Sequence, residues 1–424
     1  MAGPNFENRT LFHGDNLKFM RAMNSETIDL IATDPPFNKG RDFHATPDSL
    51  AAGASFQDRW SWERDVHQEW VDQITDDHPK LMEAIESARY AHSDGMGAFM
   101  CFMAVRLLAM HRLLKPTGSI YLHCDWTASH YLKAVMDAIF GWKNFKNEVV
   151  WCYKSGGASK RQFARKHDIL LFYAKDDRHC IFNPLKVKSY GQSGGGQGGN
   201  VQYDKHILGT YSSVSAWDWR AISMPSTTHP DRTGYPTQKP PELYERVIRA
   251  SSSEGDVVLD PFAGCGTTLV AAEKLDRQWV GVDIWDKAKD VVVQGLEREG
   301  LLGNFRLGDI GFTDEVPERT DDGEIASPYL RVKQRVKEPP NPYKSRAAMM
   351  TFLLEQNGSV CAGCDRKFDD ARYLELDHNT PRSDGGWNHI SNRILLCGPC
   401  NKLKSNQYTL SGLRRKNKKL GYMA

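Results

Sequence analysis

The sequence lacks the features that mark exported or membrane-spanning chains. Residues 1–10 have no apolar core, so we expect no signal peptide, and no stretch of about 18 apolar residues predicts a membrane span. Cysteine is scarce, with nine in 424 residues. Five stand singly and four form two Cys-x-x-Cys pairs near the C-terminus, a pattern that in an intracellular chain indicates metal rather than disulfides. We therefore expect a cytoplasmic protein with no membrane partner.

A large net charge is also missing, since the formal value is +2. The charges are unevenly distributed along the chain. Residues 331–424 carry 18 Lys and Arg and 8 Asp and Glu, whereas residues 1–330 carry 37 Lys and Arg and 45 Asp and Glu. Within the acidic part, residues 151–240 hold 13 basic and 6 acidic side chains. Two basic segments on an acidic body predict a polyanionic partner, although two solvated surfaces would give the same counts.

Two short strings that both contain Asp-Pro carry the most information. Thr33–Phe37 reads TDPPF and follows the apolar run Ile28–Ala32, while Asp260–Thr268 reads DPFAGCGTT and follows Val257–Leu259. Doubly wound α/β sheets place their ligand chemistry where a strand ends in an acidic or Gly-rich turn. Both strings are therefore predicted to lie at the ligand-binding edge of such a sheet.

Together the two strings resemble the catalytic and S-adenosylmethionine motifs of DNA amino-methyltransferases, in the permuted order of the class called β. The resemblance extends over residues 8–310. It implies an α/β fold with a Rossmann-like class I methyltransferase sheet and an inserted target-recognition region. A dinucleotide-binding dehydrogenase would share the Gly-rich turn but has no use for an Asp-Pro-Pro-Phe loop.

By this resemblance the first string is the catalytic loop, formed by Asp34, Pro35, Pro36 and Phe37. The exocyclic amine of a base is a poor nucleophile because its lone pair is conjugated into the ring. A carboxylate and a backbone carbonyl that accept its two N–H bonds favour the form in which the lone pair is available. Two prolines stiffen the loop, and the aromatic ring can stack on a base extruded from the duplex. An isolated Asp-Pro-Pro turn would equally fit a rigid loop.

The resemblance also implies an S-adenosylmethionine site assembled from several segments. The glycines of the second string let backbone approach a ligand, and a helix is expected to begin at Thr267. Asp283 ends the next strand, 23 residues after Asp260, close to the spacing of an acid that binds ribose hydroxyls. The candidate cofactor-binding residues are Asp15, Asn16, Thr237, Lys239, Asp260, Phe262, Gly264, Gly266 and Asp283.

Alternating elements connect these motifs. Residues 113–119 predict a helix end and a turn before the strand Ile120–His123, and the helix Ala128–Phe140 and strand Glu148–Tyr153 follow. Residues 154–235 break the alternation with basic and aromatic side chains and a Gly-rich loop at Gly191–Gly199, and they resemble the target-recognition region of the class. Within that region His167–Tyr173 predicts an apolar strand, one of whose aromatic rings the family position would set against the flipped base.

Residues 312–342 are polar and Pro-rich and predict a linker. Beyond it lie four thiols in two tight pairs, which predict a closed structural zinc site: Cys361, Cys364, Cys397 and Cys400. The 32 residues between the pairs exceed the usual zinc-ribbon spacing, so another element is inserted there.

The inserted element contains three strings, ELDHNTP at Glu375–Pro381, DGG at Asp384–Gly386 and NRILL at Asn392–Leu396. Together with Cys400–Lys402 they resemble an HNH nuclease of the ββα-metal type, in the subgroup that carries Gly-Gly in its loop and a four-cysteine zinc staple. The resemblance makes His378 the general base and Asn392 the residue that orients it, while Asp377 and Asn401 ligate a divalent cation, Mg²⁺ or Mn²⁺. The third signature position is Asn401 rather than His, which lowers the expected metal affinity.

The sequence thus predicts a methyltransferase domain at 1–311, with the target-recognition region at 154–235, a linker at 312–342 and an HNH domain at 343–424. Acting on double-stranded DNA, it would be an N6-adenine methyltransferase with an endonuclease, a single-chain restriction-modification enzyme. N4-cytosine remains an alternative target, and a homodimer is left open. The rivals are a methyltransferase whose zinc module only binds DNA, an RNA methyltransferase, and a non-catalytic DNA-binding regulator.

Overall fold

A computed structural model of the chain divides into two compact units. It describes residues 3–154, 159–190, 201–204, 209–224, 232–304, 307–321, 341–343, 345–379, 388–404 and 410–423. The sheet unit comprises Gly3–Trp60 and Leu113–Glu318, and the cysteine unit contains Ser61–Arg112 and the chain from Arg319 onward. The predicted Gly-rich loop at 191–199 and the Gly-Gly loop of the nuclease signature lie outside the described residues.

The strands and helices of the described residues follow in chain order. The strands are β1 (Thr10–His13), β2 (Ile28–Thr33), β3 (Phe43–His44), β4 (Ser55–Phe56), β5 (Leu114–Cys124), β6 (Phe145–Cys152), β7 (His167–Ala174), β8 (Lys186–Tyr190), β9 (Val201–Asp204), β10 (Gly209–Ser215), β11 (Trp219–Ala221), β12 (Val257–Asp260), β13 (Gln278–Asp283), β14 (Gly311–Thr313), β15 (Leu374–His378) and β16 (Arg393–Cys397). The α-helices are α1 (Asn16–Ala22), α2 (Trp62–Asp65), α3 (Gln68–Asp77), α4 (Pro79–Ala91), α5 (Asp94–Leu113), α6 (Ser129–Met136), α7 (Pro241–Ser251), α8 (Thr267–Lys274), α9 (Ala288–Arg298), α10 (Arg346–Asn357), α11 (Gly398–Lys404) and α12 (Leu410–Lys419).

The sheet unit is organised by one mixed sheet of nine strands, in the order β11-β6-β7-β5-β2-β12-β13-β1-β14. All of its neighbouring strands run parallel except β7, which is antiparallel to both β5 and β6. The carboxyl ends of the parallel strands and the amino end of β7 therefore meet at one edge. This arrangement confirms the predicted Rossmann-like methyltransferase sheet.

The central strands of this sheet are covered on both faces, so their sequences are almost continuously apolar. All six residues of β2 and all four of β12 are buried. Helices α7, α8 and α9 contribute Ile248, Leu269 and Val292 to the same core cluster, and none of these side chains is exposed. Burial of this kind stabilises a fold by about 25 cal/mol per Å² of apolar surface. The apolar residues that provide this burial are also the pattern from which these strands and helices can be predicted.

The strand β5 begins earlier than the sequence predicts. The sequence predicted a helix end and then a turn over residues 113–119. Helix α5 does end at Leu113, but residues 114–119 form the amino-terminal part of the strand instead of a turn. Lys115 in this part forms an ion pair with buried Asp29 at 2.7 Å. Gly118 lies so close to β2 that a Cβ atom there would stand 2.9 Å from the carbonyl oxygen of Asp29. The glycine is therefore used for close strand packing rather than for a turn.

The predicted target-recognition region contains a separate antiparallel sheet, in the order β8-β10-β9. Of the two aromatic side chains that the sequence left open in β7, Phe172 stacks on Tyr121 with ring centroids 4.2 Å apart. Tyr173 belongs to the opposite face and donates a hydrogen bond to Asp137 at 2.7 Å. Both rings are buried, with exposures of 3% and 0%.

The cysteine unit contains α2 to α5, α10 to α12 and the antiparallel hairpin of β15 and β16. Helix α10 starts after Ser345, whose hydroxyl accepts a hydrogen bond from the amide of Ala348. Its apolar side chains Met349 and Leu353 belong to one core cluster with the hairpin. Helix α5 is long and apolar enough to cross a membrane, but 94% of its apolar window is buried inside the structure, as in a core helix.

Candidate active sites

Asp34 lies directly after β2 and is held by two side chains that come from distant parts of the chain. The ammonium nitrogen of Lys239 is 2.5 Å from Asp34 Oδ2. On the other side, His123 Nδ1 is 3.0 Å from Asp34 Oδ1, and the imidazole is completely buried. Only 19% of the Asp34 side chain is exposed, so these two groups fix the direction of its carboxylate.

The charge of Asp34 follows from this environment. Burial alone would raise the pKa of the carboxyl group, but the opposing charge of Lys239 and the contact with His123 outweigh it, and the pKa falls below its ordinary value. The group is therefore an ionised hydrogen-bond acceptor at neutral pH, with lone pairs left to accept N–H groups of a ligand.

A second carboxylate continues this arrangement. Asp168, at the start of β7, places Oδ2 3.5 Å from His123 Nε2 and accepts a hydrogen bond from the Tyr153 hydroxyl at 3.2 Å. His123 thus stands between Asp34 and Asp168 in one row. Because β7 is antiparallel, its first residues reach the edge where the parallel strands end. Sequence reasoning predicted both strands but assigned no function to either side chain.

Phe37 closes one side of the Asp34 pocket. Its ring meets His123 edge-on, with centroids 5.3 Å apart, and Lys239 Nζ lies 5.1 Å from the ring centroid. The loop beyond Phe37 is fixed by Asp58, which is 1% exposed and accepts hydrogen bonds from the amides of Asn38 and Lys39 at 2.6 and 2.9 Å. Sequence reasoning missed Asp58, which lies outside both motifs.

The second loop is tied to the first through Asp260. Its Oδ1 accepts hydrogen bonds from the Thr33 hydroxyl at 2.8 Å and from the Phe262 amide at 3.1 Å. Burial raises the pKa of Asp260 to about 7. The side chain of Asn16 donates to the carbonyl of Pro261 at 2.6 Å, so the segment after β1 joins the same edge. The structure therefore brings together three segments that the sequence placed far apart.

The Gly-rich turn has the backbone geometry that was expected of it. Gly264 and Gly266 have φ angles of 55° and 72°, and α8 begins at Thr267 as predicted. Asp283 accepts hydrogen bonds from the amides of Gly264 at 2.7 Å and Trp285 at 2.8 Å. Its two oxygens retain lone pairs for further donors, so this carboxylate suits the hydroxyl groups of a ribose.

The remaining predicted cofactor residues have structural contacts of their own. Asp15 caps α1 by accepting a hydrogen bond from the amide of Leu17 at 2.8 Å. Thr237 has a φ angle of 61°, and its carbonyl accepts a hydrogen bond from Lys239 Nζ at 2.9 Å. Lys239, predicted to bind cofactor, therefore lies against the loop predicted to be catalytic.

In the cysteine unit the four predicted thiols form one cluster, with all Sγ atoms within 4.8 Å of one another. The amide of Cys397 donates to Cys361 Sγ at 3.2 Å, and the Asn417 side chain donates to Cys400 Sγ at 3.3 Å. Four sulfur ligands at this spacing, supported by N–H donors, fit a closed tetrahedral zinc site. Among the described residues, this is the cluster of His, Cys, Asp and Glu side chains that could hold a metal ion.

The predicted nuclease residues lie on the hairpin and on α11. His378 ends β15 and is 1% exposed, and the Asn392 carbonyl accepts a hydrogen bond from the Asn379 amide at 2.7 Å. The amide side chain of Asn401 donates to Glu375.

Asp377 has a partner that sequence reasoning missed. Lys404 Nζ, 1% exposed, lies 2.8 Å from Asp377 Oδ2. Burial raises the pKa of this carboxyl, and Lys404 opposes the shift. A divalent cation at Asp377 would share the carboxylate with this ammonium group.

Comparison with known proteins identifies the families of the two regions. The profile of the DNA methylase family matches residues 28–294, more than half of the chain, and the HNH endonuclease profile matches residues 361–407. The type II methyltransferase M.HpaI of Haemophilus parainfluenzae is 26% identical over 287 residues, 67% of this chain and 72% of that protein. The DNA adenine methyltransferase YhdJ of Escherichia coli (strain K12) is 26% identical over 304 residues, 70% of this chain and 85% of that protein.

Solved structures of similar proteins cover a similar share of the chain. The PvuII DNA methyltransferase (cytosine-N4-specific) is 16% identical with a TM-score of 0.41, covering 73% of this chain and 97% of that one. The complex of M1.HpyAVI with SAM is 18% identical with a TM-score of 0.37, covering 68% of this chain and 98% of that one. On the extent of the profile matches, the chain belongs to the DNA methylase family and carries a C-terminal HNH endonuclease domain.

Proposed function

We propose that the protein is a site-specific N6-adenine methyltransferase of double-stranded DNA with an active HNH endonuclease, a single-chain restriction-modification enzyme. The observation that carries the first part is the carboxylate of Asp34, kept ionised by Lys239 and His123 at the end of β2. Such a group is suited to accept hydrogen from an exocyclic amine and to make its lone pair available for attack.

Each residue of the catalytic loop has a role in this proposal. Asp34 and the carbonyl of Pro35 accept the two N–H bonds of the target amine, and Pro36 keeps the loop stiff. Phe37 offers a face on which the extruded base stacks. Lys239 and His123 hold the Asp34 carboxylate in place, and Asp168 holds His123. The amine nitrogen would form one bond to the methyl carbon and lose one proton to solvent. The bond between that carbon and the sulfonium sulfur of the methyl donor would break, and the neutral thioether would leave.

The methyl group comes from S-adenosylmethionine, for which the second loop and its neighbours provide the binding groups. Backbone at Gly264 and Gly266 allows close approach of a ligand, and Asp283 accepts the ribose hydroxyls. The other candidate contacts are Asp15, Asn16, Thr237, Lys239, Asp260 and Phe262. Support for this cofactor also comes from the match to the DNA methylase family over residues 28–294.

Asp in the first position of the Asp34–Phe37 motif favours adenine over cytosine. The reason is family resemblance, because N4-cytosine enzymes more often carry Ser at this position. N4-cytosine is the competing target, because both amines present the same two N–H groups to Asp34. Nucleoside analysis of duplex DNA incubated with the enzyme and S-adenosylmethionine tests the choice. We expect N6-methyladenine in the digest, and N4-methylcytosine would overturn the assignment. Asp34→Ala, with the same DNA, controls for methylation by contaminating enzymes.

For the nuclease we propose that His378 activates water and that Asn392 orients the imidazole of His378. Asp377 and Asn401 would hold Mg²⁺ or Mn²⁺, which would stabilise the charge that develops on the scissile phosphate. The thiolate cluster would hold zinc for structure only. Supercoiled, unmethylated plasmid incubated with each divalent metal tests this part. Nicked or linear plasmid is expected, whereas intact plasmid under all metals would favour a module that only binds DNA.

The location of the enzyme follows from its proposed substrates. Both duplex DNA and S-adenosylmethionine are found in the cytoplasm, which is where we place the enzyme, and a homodimer is left as an assembly to be measured. An RNA methyltransferase would have no use for an HNH domain. A non-catalytic DNA-binding protein would not need the ionised Asp34 with its Lys239 and His123 contacts.

A further inference from the structure

A carboxylate from α3 lies inside the proposed nuclease site. Asp76 is the second-last residue of that helix, and its side chain is 5% exposed. Its Oδ2 is 3.0 Å from the guanidinium of Arg393 and 3.5 Å from His378 Nε2, and its Oδ1 forms an ion pair with Arg346. All of these residues belong to the cysteine unit.

The three partners of Asp76 come from different elements of the nuclease region. Arg393 starts β16, in direct register with His378 on β15. Its guanidinium also lies 3.4 Å from His378 Nδ1, and its side chain is 3% exposed. Arg346, in the first turn of α10, donates a second hydrogen bond to the carbonyl of Leu376 at 2.7 Å. Both guanidinium groups are therefore fixed beside the residue proposed to activate water.

Such a pair of arginines has the chemistry of a phosphate site. A guanidinium offers a planar fork of N–H donors that matches the oxygens of either a carboxylate or a phosphate. Asp76 presents two anionic oxygens to two such forks, and no step of the proposed methyl transfer or cleavage requires it. Its position is the one that a phosphodiester would need in order to be attacked by water activated at His378.

We infer that Arg346 and Arg393 form the binding site for the scissile phosphodiester of DNA, and that Asp76 occupies this site in place of the phosphate. The inference rests on the proposed nuclease function. Asp76 then blocks the phosphate-binding site of the nuclease, and DNA must displace it before cleavage. The closing residue lies within the part of the sequence that matches the DNA methylase family, whereas His378 and Arg393 lie within the HNH match.

The first test compares cutting of unmethylated supercoiled plasmid in Mg²⁺ or Mn²⁺ by the full chain and by Asp76→Ala and Asp76→Asn. Because Asp76→Ala removes a competing anion, it should raise the rate of nicking by about tenfold or more. Asp76→Asn should also nick faster than the wild type. Asp72→Asn is the matched control, because Asp72 lies one turn earlier on α3 and accepts a hydrogen bond from Gln68. It should cut like the wild type. A lower rate for both Asp76 variants would overturn the inference and make Asp76 part of the catalytic machinery.

The second test does not depend on cutting. Carbethoxylation of His378 by diethyl pyrocarbonate, followed by peptide mass spectrometry, should be slow in the wild type and several-fold faster in Asp76→Ala. Duplex DNA should protect the imidazole of Asp76→Ala, and this protection should weaken when Arg346→Ala is added. Equal methylation by all variants shows that the methyltransferase domain has folded, and equal zinc content shows the same for the HNH region.

The two readouts separate the inference from the function on which it rests. If no variant cuts plasmid but His378 becomes reactive in Asp76→Ala and DNA protects it, the phosphate site stands and the nuclease proposal fails. If the wild type cuts plasmid, Asp76→Ala cuts no faster and the reactivity of His378 is unchanged, the nuclease stands and the inference is wrong.

Discussion

Lys239 and Asp34 are separated by 205 positions in the chain, yet their charged atoms lie 2.5 Å apart. The lysine follows the predicted target-recognition region, and the aspartate opens the proposed catalytic loop. An ion pair between buried groups is stabilising only if the geometry is good and the remaining lone pairs and protons find partners. Here Lys239 also donates to the Thr237 carbonyl, so its charge is satisfied twice.

The role of Asp34 predicts a separation between chemistry and cofactor binding. Asp34→Ala should lower the rate of methyl transfer by at least about 100-fold, because the target amine loses its charged acceptor. The affinity for S-adenosylmethionine should stay within a few-fold of the wild type, because the proposed cofactor contacts lie mainly on Gly264, Gly266 and Asp283. Transfer of labelled methyl groups and isothermal titration measure the two quantities. Near-normal methylation by the purified variant would contradict the role.

The pair also predicts a pH dependence. The pKa of Asp34 lies below its ordinary value in the folded enzyme, so the active ionised form persists as the pH falls toward 4. Lys239→Gln removes the strongest opposing charge and should raise the pKa of Asp34. The acid limb of kcat/KM for methylation should therefore move to higher pH. Lys143→Gln, which changes an exposed lysine of the sheet unit, is the matched control and should leave the profile unchanged. An unshifted acid limb in Lys239→Gln would show that Asp34 does not depend on this lysine.

The cysteine cluster predicts one bound zinc ion per chain. Cys361→Ser or Cys397→Ser should lose that ion and unfold the HNH region, since a site of this type contributes much of the folding free energy of a small module. Metal analysis by mass spectrometry and limited proteolysis report the two effects. Cys180→Ser provides the control, because Cys180 lies outside the cluster. Full zinc content in Cys361→Ser would rule out the four-sulfur site.

A separation of activities is predicted for His378. Replacement by Ala should abolish plasmid cutting, because the proposed general base is lost, and methylation should be unchanged. Both reactions can be followed on the same plasmid, with cutting assayed in Mg²⁺ or Mn²⁺. Residual cutting at more than about one per cent of the wild-type rate would assign the activation of water to another group.

The sequence was most informative where function and local structure coincide. The strands β2, β12 and β13 are largely apolar, and the predicted functional residues lie within a few positions of their carboxyl ends. The spacing of the four cysteines predicted their cluster in the same way. The strand-and-loop predictions rested on residues that are close in sequence. The zinc-site prediction rested on a set of four ligands whose geometry is fixed by the metal.

The parts that sequence reasoning missed depend on tertiary register. His123 reaches Asp34 because β5 lies next to β2, and Asp168 reaches His123 because β7 is antiparallel in an otherwise parallel sheet. Neither fact is visible in a local pattern. Asp76 lies about 300 positions before His378 in an ordinary amphipathic helix, so its place beside the nuclease residues could only be seen in the folded chain.

A single-chain restriction-modification enzyme must methylate and cut the same DNA. Plasmid is first methylated by the wild type with S-adenosylmethionine and no added divalent metal, then purified and challenged with fresh enzyme in Mg²⁺ or Mn²⁺ without S-adenosylmethionine. A parallel plasmid is pretreated with Asp34→Ala. We predict that the plasmid pretreated with wild type resists cutting while the plasmid pretreated with Asp34→Ala is cut. Equal cutting of both plasmids, or cutting of neither, would overturn the proposed restriction-modification function.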